Sequence, residues 1–136
     1  MPVSQTGEDL LLNAITGFES LPTTLYLALS KGVPEPFDNA NSLPEPTSGY
    51  ARQEVLQANW TQSSSGSAVY SDAIQFPTAT ADWGVIKTWV LCTALTGGNI
   101  VVWEEFDTPI NVSNGQMLTI PAESFGLTVS SLEDSD

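Results

Sequence analysis

Apolar residues near the start of the chain recur at the helical period. Leu10, Leu11, Ala14, Ile15 and Phe18 line one face of a helix predicted over residues 8–18. Thr6 is placed to cap it, Glu8 and Asp9 suit its positive N-terminal end, and Gly17 is a natural stop. Further on the pattern changes to short apolar or alternating runs separated by turn residues, which is the signature of strands. Such runs occupy residues 23–30, 50–56, 67–70, 73–76, 83–94, 100–106, 110–112, 117–120 and 125–129, with a polar turn at 62–66. The first of them, TTLYLALS, is apolar enough to be buried on both faces. Thr96-Gly97-Gly98-Asn99 closes one hairpin, and Asn114-Gly115 predicts a second between 110–112 and 117–120. The pattern predicts a mostly β chain: an antiparallel β-sandwich or jelly-roll-like barrel with one short N-terminal helix.

Residues 31–49 break the strand pattern with four prolines, Pro34, Pro36, Pro44 and Pro46. Proline removes ladder donors and biases its predecessor toward extended backbone, so this stretch reads as a long ordered loop. Its apolar residues Val33, Pro34, Phe37 and Leu43 are hard to bury within one small sandwich and are the expected subunit interface. Residues 130–136 carry three acids and little apolar surface, and are expected to form a loose tail. The 136 residues make a single domain.

Charge sharpens the picture. Only 14% of residues are charged, and 16 acidic against 3 basic side chains give a net charge of −13. With Lys31, Arg52 and Lys87 as its only cations, the chain is unsuited to tracking nucleic-acid phosphates or an anionic membrane. No run approaches the length of a membrane span, and the N-terminus has no basic segment ahead of an apolar one. Synthesis in a reducing cytoplasm is expected. Histidine is absent, which removes the commonest general base and metal ligand. Cys92 is the single cysteine and sits in an apolar run, so it reads as a buried, inert thiol.

Carboxylates are the only catalytic material in quantity. Glu104, Glu105 and Asp107 cluster near a strand end, but alternation is expected to set Glu104 and Glu105 on opposite faces, unlike a glycosidase pair. Asp82 beside Trp83 reads as a turn cap ahead of any hydrolytic role. Asp38-Asn39-Ala40-Asn41 lacks the glycine and glutamate of a calcium loop. Trp83, Trp89 and Trp103 have apolar neighbours and read as core or subunit contact, whereas Trp60 lies among polar residues. No catalytic residue, cofactor or metal is expected, and the chain is not expected to be an enzyme.

Several segments, in order, resemble a family of small tailed-phage virion proteins described as tail or head fibre components or as capsid decoration. They are Pro22-Thr23-Thr24-Leu25-Tyr26-Leu27-Ala28-Leu29-Ser30, Glu45-Pro46 through Gly49-Tyr50-Ala51-Arg52, and Phe76-Pro77-Thr78-Ala79-Thr80. Asp82-Trp83-Gly84 with Trp89, Thr96-Gly97-Gly98-Asn99, and residues 115–121 follow. The resemblance implies a non-enzymatic structural protein located in the virion. Its motifs also have a physical reading. Arg52, the sole arginine, shares a face with Tyr50 and is placed to tie the proline loop down by an ion pair or a stack. Gly84 after Trp83 suggests a bend or a close backbone approach.

The leading functional expectation is a capsid cement or decoration protein on the outer head surface. It would bind the major capsid protein or other virion proteins and form a homo-oligomer, with a trimer preferred. The alternatives are a tail or fibre-base structural protein, and a carbohydrate-binding receptor module that uses Trp60 and the 31–49 loop.

Overall fold

The computed structural model describes residues 12, 15–17, 24–33, 40, 43–64, 67–122, 124 and 126–128. Nine strands are present among them. They are β1 (Thr24–Ser30), β2 (Gln53–Leu56), β3 (Trp60–Ser64), β4 (Ser67–Tyr70), β5 (Ile74–Gln75), β6 (Gly84–Cys92), β7 (Ile100–Val112), β8 (Thr119–Ile120) and β9 (Gly126–Thr128). All pairing between them is antiparallel. One sheet has the order β2-β1-β6-β7, a second β3-β4-β9, and a third β5-β8. The fold is therefore mostly β and sandwich-like, as the strand pattern predicts. Of the helix expected over residues 8–18, only residues 12 and 15–17 are among the described residues, and the rest lies outside them.

Alternation explains the layering. In β1 the side chains of Leu27 and Leu29 enter the main core, opposite Leu91 and Trp89 of β6. Ala28 between them faces the other way and joins Val90, Cys92, Ile100 and Trp103 in a second cluster. The main core closes the four-stranded sheet against Tyr70 of β4, Ile74 of β5 and Ile120 of β8. Phe76, Trp83 and Ile86 are among its fully buried members. Burying a side chain such as Phe76 contributes about 1.5–3 kcal/mol. The second cluster is covered by Ala40 and Leu43 of the proline-rich loop, which explains why both faces of β1 are apolar.

Two buried polar side chains are satisfied by the start of that loop. Ser30 Oγ bonds the Gly32 carbonyl at 2.8 Å, and Thr88 Oγ1 donates to the same carbonyl at 3.0 Å. The end of the loop is equally fixed. Ser48 and Gly49 both have positive φ (57° and 92°), and a Cβ on Gly49 would lie 2.9 Å from the Thr78 carbonyl oxygen.

Sequence expectations are corrected at two places. Residues 62–64 of the stretch read as a polar turn at 62–66 belong to β3, which pairs with β4 although only Trp60 in it is apolar. Asn114-Gly115 does turn the chain, with Gly115 at φ 86° and Gln116 N–H donating to Ser113 O at 2.9 Å. The segments on either side do not form a hairpin, however. Residues 110–112 are the end of one long strand, β7, and β8 pairs with β5 instead. The reason is burial: Ile74, Phe76, Leu118 and Ile120 meet in the main core, which draws this arm across to β5.

Candidate functional site

The most concentrated polar chemistry surrounds Arg52. Its guanidinium meets Glu45 bidentately, Nε to Oε1 at 2.8 Å and Nη2 to Oε2 at 2.8 Å. Nη1 donates to the carbonyls of Ala94 and Gly97 at 2.7 and 2.8 Å, and Nη2 reaches the Ala40 carbonyl at 3.4 Å. All five donors of the fork are thereby used. The Arg52 side chain is only 2% exposed. Burial alone would lower its pKa, but the hydrogen bonds and charge of Glu45 reverse that, and the net direction is upward.

Tyr50 completes this clamp. Its hydroxyl donates to Glu45 Oε1 at 2.7 Å and accepts from the Leu29 N–H at 3.0 Å. The β1–β2 ladder ends at Leu27–Gln53, so the phenol oxygen takes the place of a missing strand partner. Burial first, and then the Glu45 carboxylate, drive the Tyr50 pKa far above its ordinary value, which keeps the hydroxyl a donor. Its ring stacks on Phe76 at a centroid distance of 6.2 Å and meets Trp83 edge-on at 5.7 Å. Trp83 in turn donates Nε1–H to the Ser48 carbonyl at 3.1 Å. Tyr50, Arg52 and Trp83 thus act together on the proline-rich loop. Gly84 next to Trp83 has φ +84° with open space where a Cβ would stand, so it serves a bend and no close approach.

The sequence pattern alone did not single out Glu45 as the acceptor. A signal for it was present: Pro44 and Pro46 bracket it, and prolines on both sides make a carboxylate a rigid partner for the sole arginine. A shallow depression of about 320 Å³ overlies the clamp and is lined by Pro46, Tyr50, Arg52, Leu95 and Gly97. With its guanidinium saturated, this depression has no free cation to offer a ligand.

A second depression, of about 300 Å³, lies at the far end of the sheet. Trp89, Phe106, Ile110, Leu118 and Ile120 supply apolar surface, and Glu104, Glu105 and Asp107 line it as well. Its cause is a large bulge. Ile86 pairs with Ile110 and Thr88 with Glu105, so residues 106–109 of β7 stand opposite Lys87 alone. Strict alternation would separate Glu104 from Glu105, yet both border this groove because the bulge begins directly after them. Among the described residues no group of acids, cysteines or histidines is arranged to hold a metal ion.

The remaining sequence candidates are dispersed. Val33 is exposed, Leu43 is buried within the chain in the second cluster, and Pro34 and Phe37 lie outside the described residues. So do Asp38, Asn39 and Asn41. Asp82 caps a turn, with its Oδ1 accepting the Asn114 N–H at 2.8 Å. Trp60 is half-buried and packs edge-on against Tyr70 at 5.4 Å. Cys92 is fully buried, and burial pushes its thiol up to about 12. No helix among the described residues is long and apolar enough to cross a membrane.

No curated protein matches the chain. Residues 2–128 match the family described as podophage GP4 fiber I protein gp80, a span that includes the clamp, the groove and every strand. The chain therefore belongs to the podophage GP4 fiber I protein gp80 family, and is a structural protein of a bacteriophage virion.

Proposed function

We propose that this chain is a non-enzymatic structural component of a phage fibre or of its base, held in the particle by contacts with other virion proteins. The family match across residues 2–128 carries this reading, because its description names a fibre protein. It supports a fibre location over decoration of the head. The side chains are consistent with a structural role: the one arginine is spent on the clamp, and the one cysteine is buried with a raised pKa. A homo-oligomer, preferably a trimer, suits a fibre axis.

Quantitative mass spectrometry of purified particles, with antibody labelling in the electron microscope, tests the reading. A few to a few dozen copies with label at the fibres is the expected result. Hundreds of copies with label over the head would restore the decoration reading.

A further inference from the structure

We propose that the groove beside the β7 bulge docks a lysine- or arginine-bearing segment of another virion protein; this deepens the fibre reading and rests on it. The groove combines two properties that a long cationic side chain satisfies together. Its surface is apolar where Phe106, Ile110 and Leu118 contribute, and anionic at Glu104, Glu105 and Asp107. A lysine or arginine lays its methylene stem on such a surface and leaves its charged head among the carboxylates. Trp89 and Phe106 add aromatic surface that attracts a cation.

Charge bookkeeping within the chain points outward. The ion pair between Arg52 and Glu45 is the only one among the described residues, so none of the three groove acids has an ion-pair partner there, and Lys87, which stands opposite the bulge, forms none with them. They are all exposed. A metal ion is a poor occupant, since these acids do not converge as a ligand set. A second copy of the chain is a poor occupant too. Of its three cations Arg52 is saturated and buried, which leaves Lys31 and Lys87 against a net charge of −13. A basic segment of a different protein meets both demands, and the bulge explains why the acids stand together at this point of an edge strand.

The test compares three phages, carrying the wild-type chain, Glu104→Gln/Glu105→Gln/Asp107→Asn, and Glu133→Gln/Asp134→Asn/Asp136→Asn. The last changes net charge equally but alters only the C-terminal acids. Copies per purified particle are counted by mass spectrometry, and each purified protein is checked for an unchanged melting curve and oligomeric state. The expected result is incorporation of the groove variant about tenfold or more below wild type, with the tail variant at the wild-type level. Wild-type attachment is also expected to loosen as salt is raised. Wild-type protein missing from the particle would overturn the fibre reading itself. Groove variant at the wild-type level, or equal loss of both variants, would overturn the docking proposal and leave the fibre reading intact. Normal incorporation with lost adsorption to host cells would assign the groove to a glycan. A changed oligomeric state of the groove variant would assign it to a second copy. Either result also overturns the proposal.

Discussion

The clamp and the groove are both built around carboxylates, and the chain treats them in opposite ways. Glu45 is surrounded: two guanidinium nitrogens and a phenol hydroxyl take its oxygens, and the partner arginine is almost fully covered. Glu104, Glu105 and Asp107 are exposed, without an ion pair among the described residues, and crowded by a bulge. A buried charge is tolerable only with its partner and hydrogen bonds in place, so the clamp is a folding device. Exposed like charges do little for folding, so a cluster of them beside apolar surface is retained at a cost in repulsion. In a chain of net charge −13, committing one of three cations, itself buried, to a single part-buried glutamate marks how much the proline-rich loop depends on it.

The largest effect should therefore come from breaking the clamp. Arg52→Met leaves Glu45 without its cation and removes donors from the Ala94, Gly97 and Ala40 carbonyls. A loss of about 3–5 kcal/mol in urea unfolding is expected. Glu45→Gln keeps a hydrogen-bonding group but unpairs the arginine, and should cost about 2 kcal/mol. If Arg52→Met unfolds at the wild-type urea midpoint, the contrast between the two regions collapses.

Gly98 sharpens the same point at the hairpin whose Gly97 carbonyl receives Arg52. Its φ is +74°, and a Cβ would stand 2.9 Å from both the Ala94 Cβ and the Thr93 Oγ1. Gly98→Ala should cost about 2 kcal/mol through strain and crowding together. Gly84→Ala shares the positive φ but meets open space, so about 1 kcal/mol is expected. Equal losses in parallel thermal melts would mean that crowding at the hairpin is relieved by movement.

Much of this fold was legible in the sequence, and what was not has a physical cause. The β6–β7 hairpin announced itself through two glycines between apolar runs, because both positions need positive φ (61° and 74°). The double burial of β1 showed in its uninterrupted apolar run. β3 was hidden because Thr61, Gln62 and Ser64, which lie in its ladder with β4, are all polar and leave no hydrophobic period to read. The groove was hidden for a related reason. A bulge changes register without changing composition, so residues 100–112 gave no sign that 106–109 face a single partner. Tyr50 and Arg52 were visible as a pair on one face, whereas Glu45 needed the loop to fold back before its role existed.

Alkaline pH probes the buried face under the clamp's loop. The Cys92 thiol ionises near 9 when unfolded and is pushed up to about 12 by burial in the folded chain. Its contribution to stability is then complete below pH 9 and is lost as pH rises from 9 toward 12, because only the unfolded chain releases the proton in that window. The slope approaches about 1.4 kcal/mol per pH unit for this one group. Cys92→Ala should flatten the fall of stability between pH 9 and 10, whatever its absolute stability. Parallel slopes for the two proteins would show that the thiol is not shielded.

The smallest expected effect is the one that most cleanly separates the two regions. Neutralising Glu104, Glu105 and Asp107 together removes three exposed charges that form no ion pair among the described residues. Isosteric amides keep the shape of the groove, so only repulsion changes. Stability should rise at low salt by about 0.5 kcal/mol or less, and the gain should vanish at physiological ionic strength as screening replaces the substitution. The opposite sign at Arg52 would persist in salt, since a covered ion pair is screened far less than exposed acids. Urea unfolding of both variants across a salt series reads the two behaviours side by side. If the groove variant instead loses stability at every salt concentration, these acids support the bulge itself, and their retention is explained by folding without any partner.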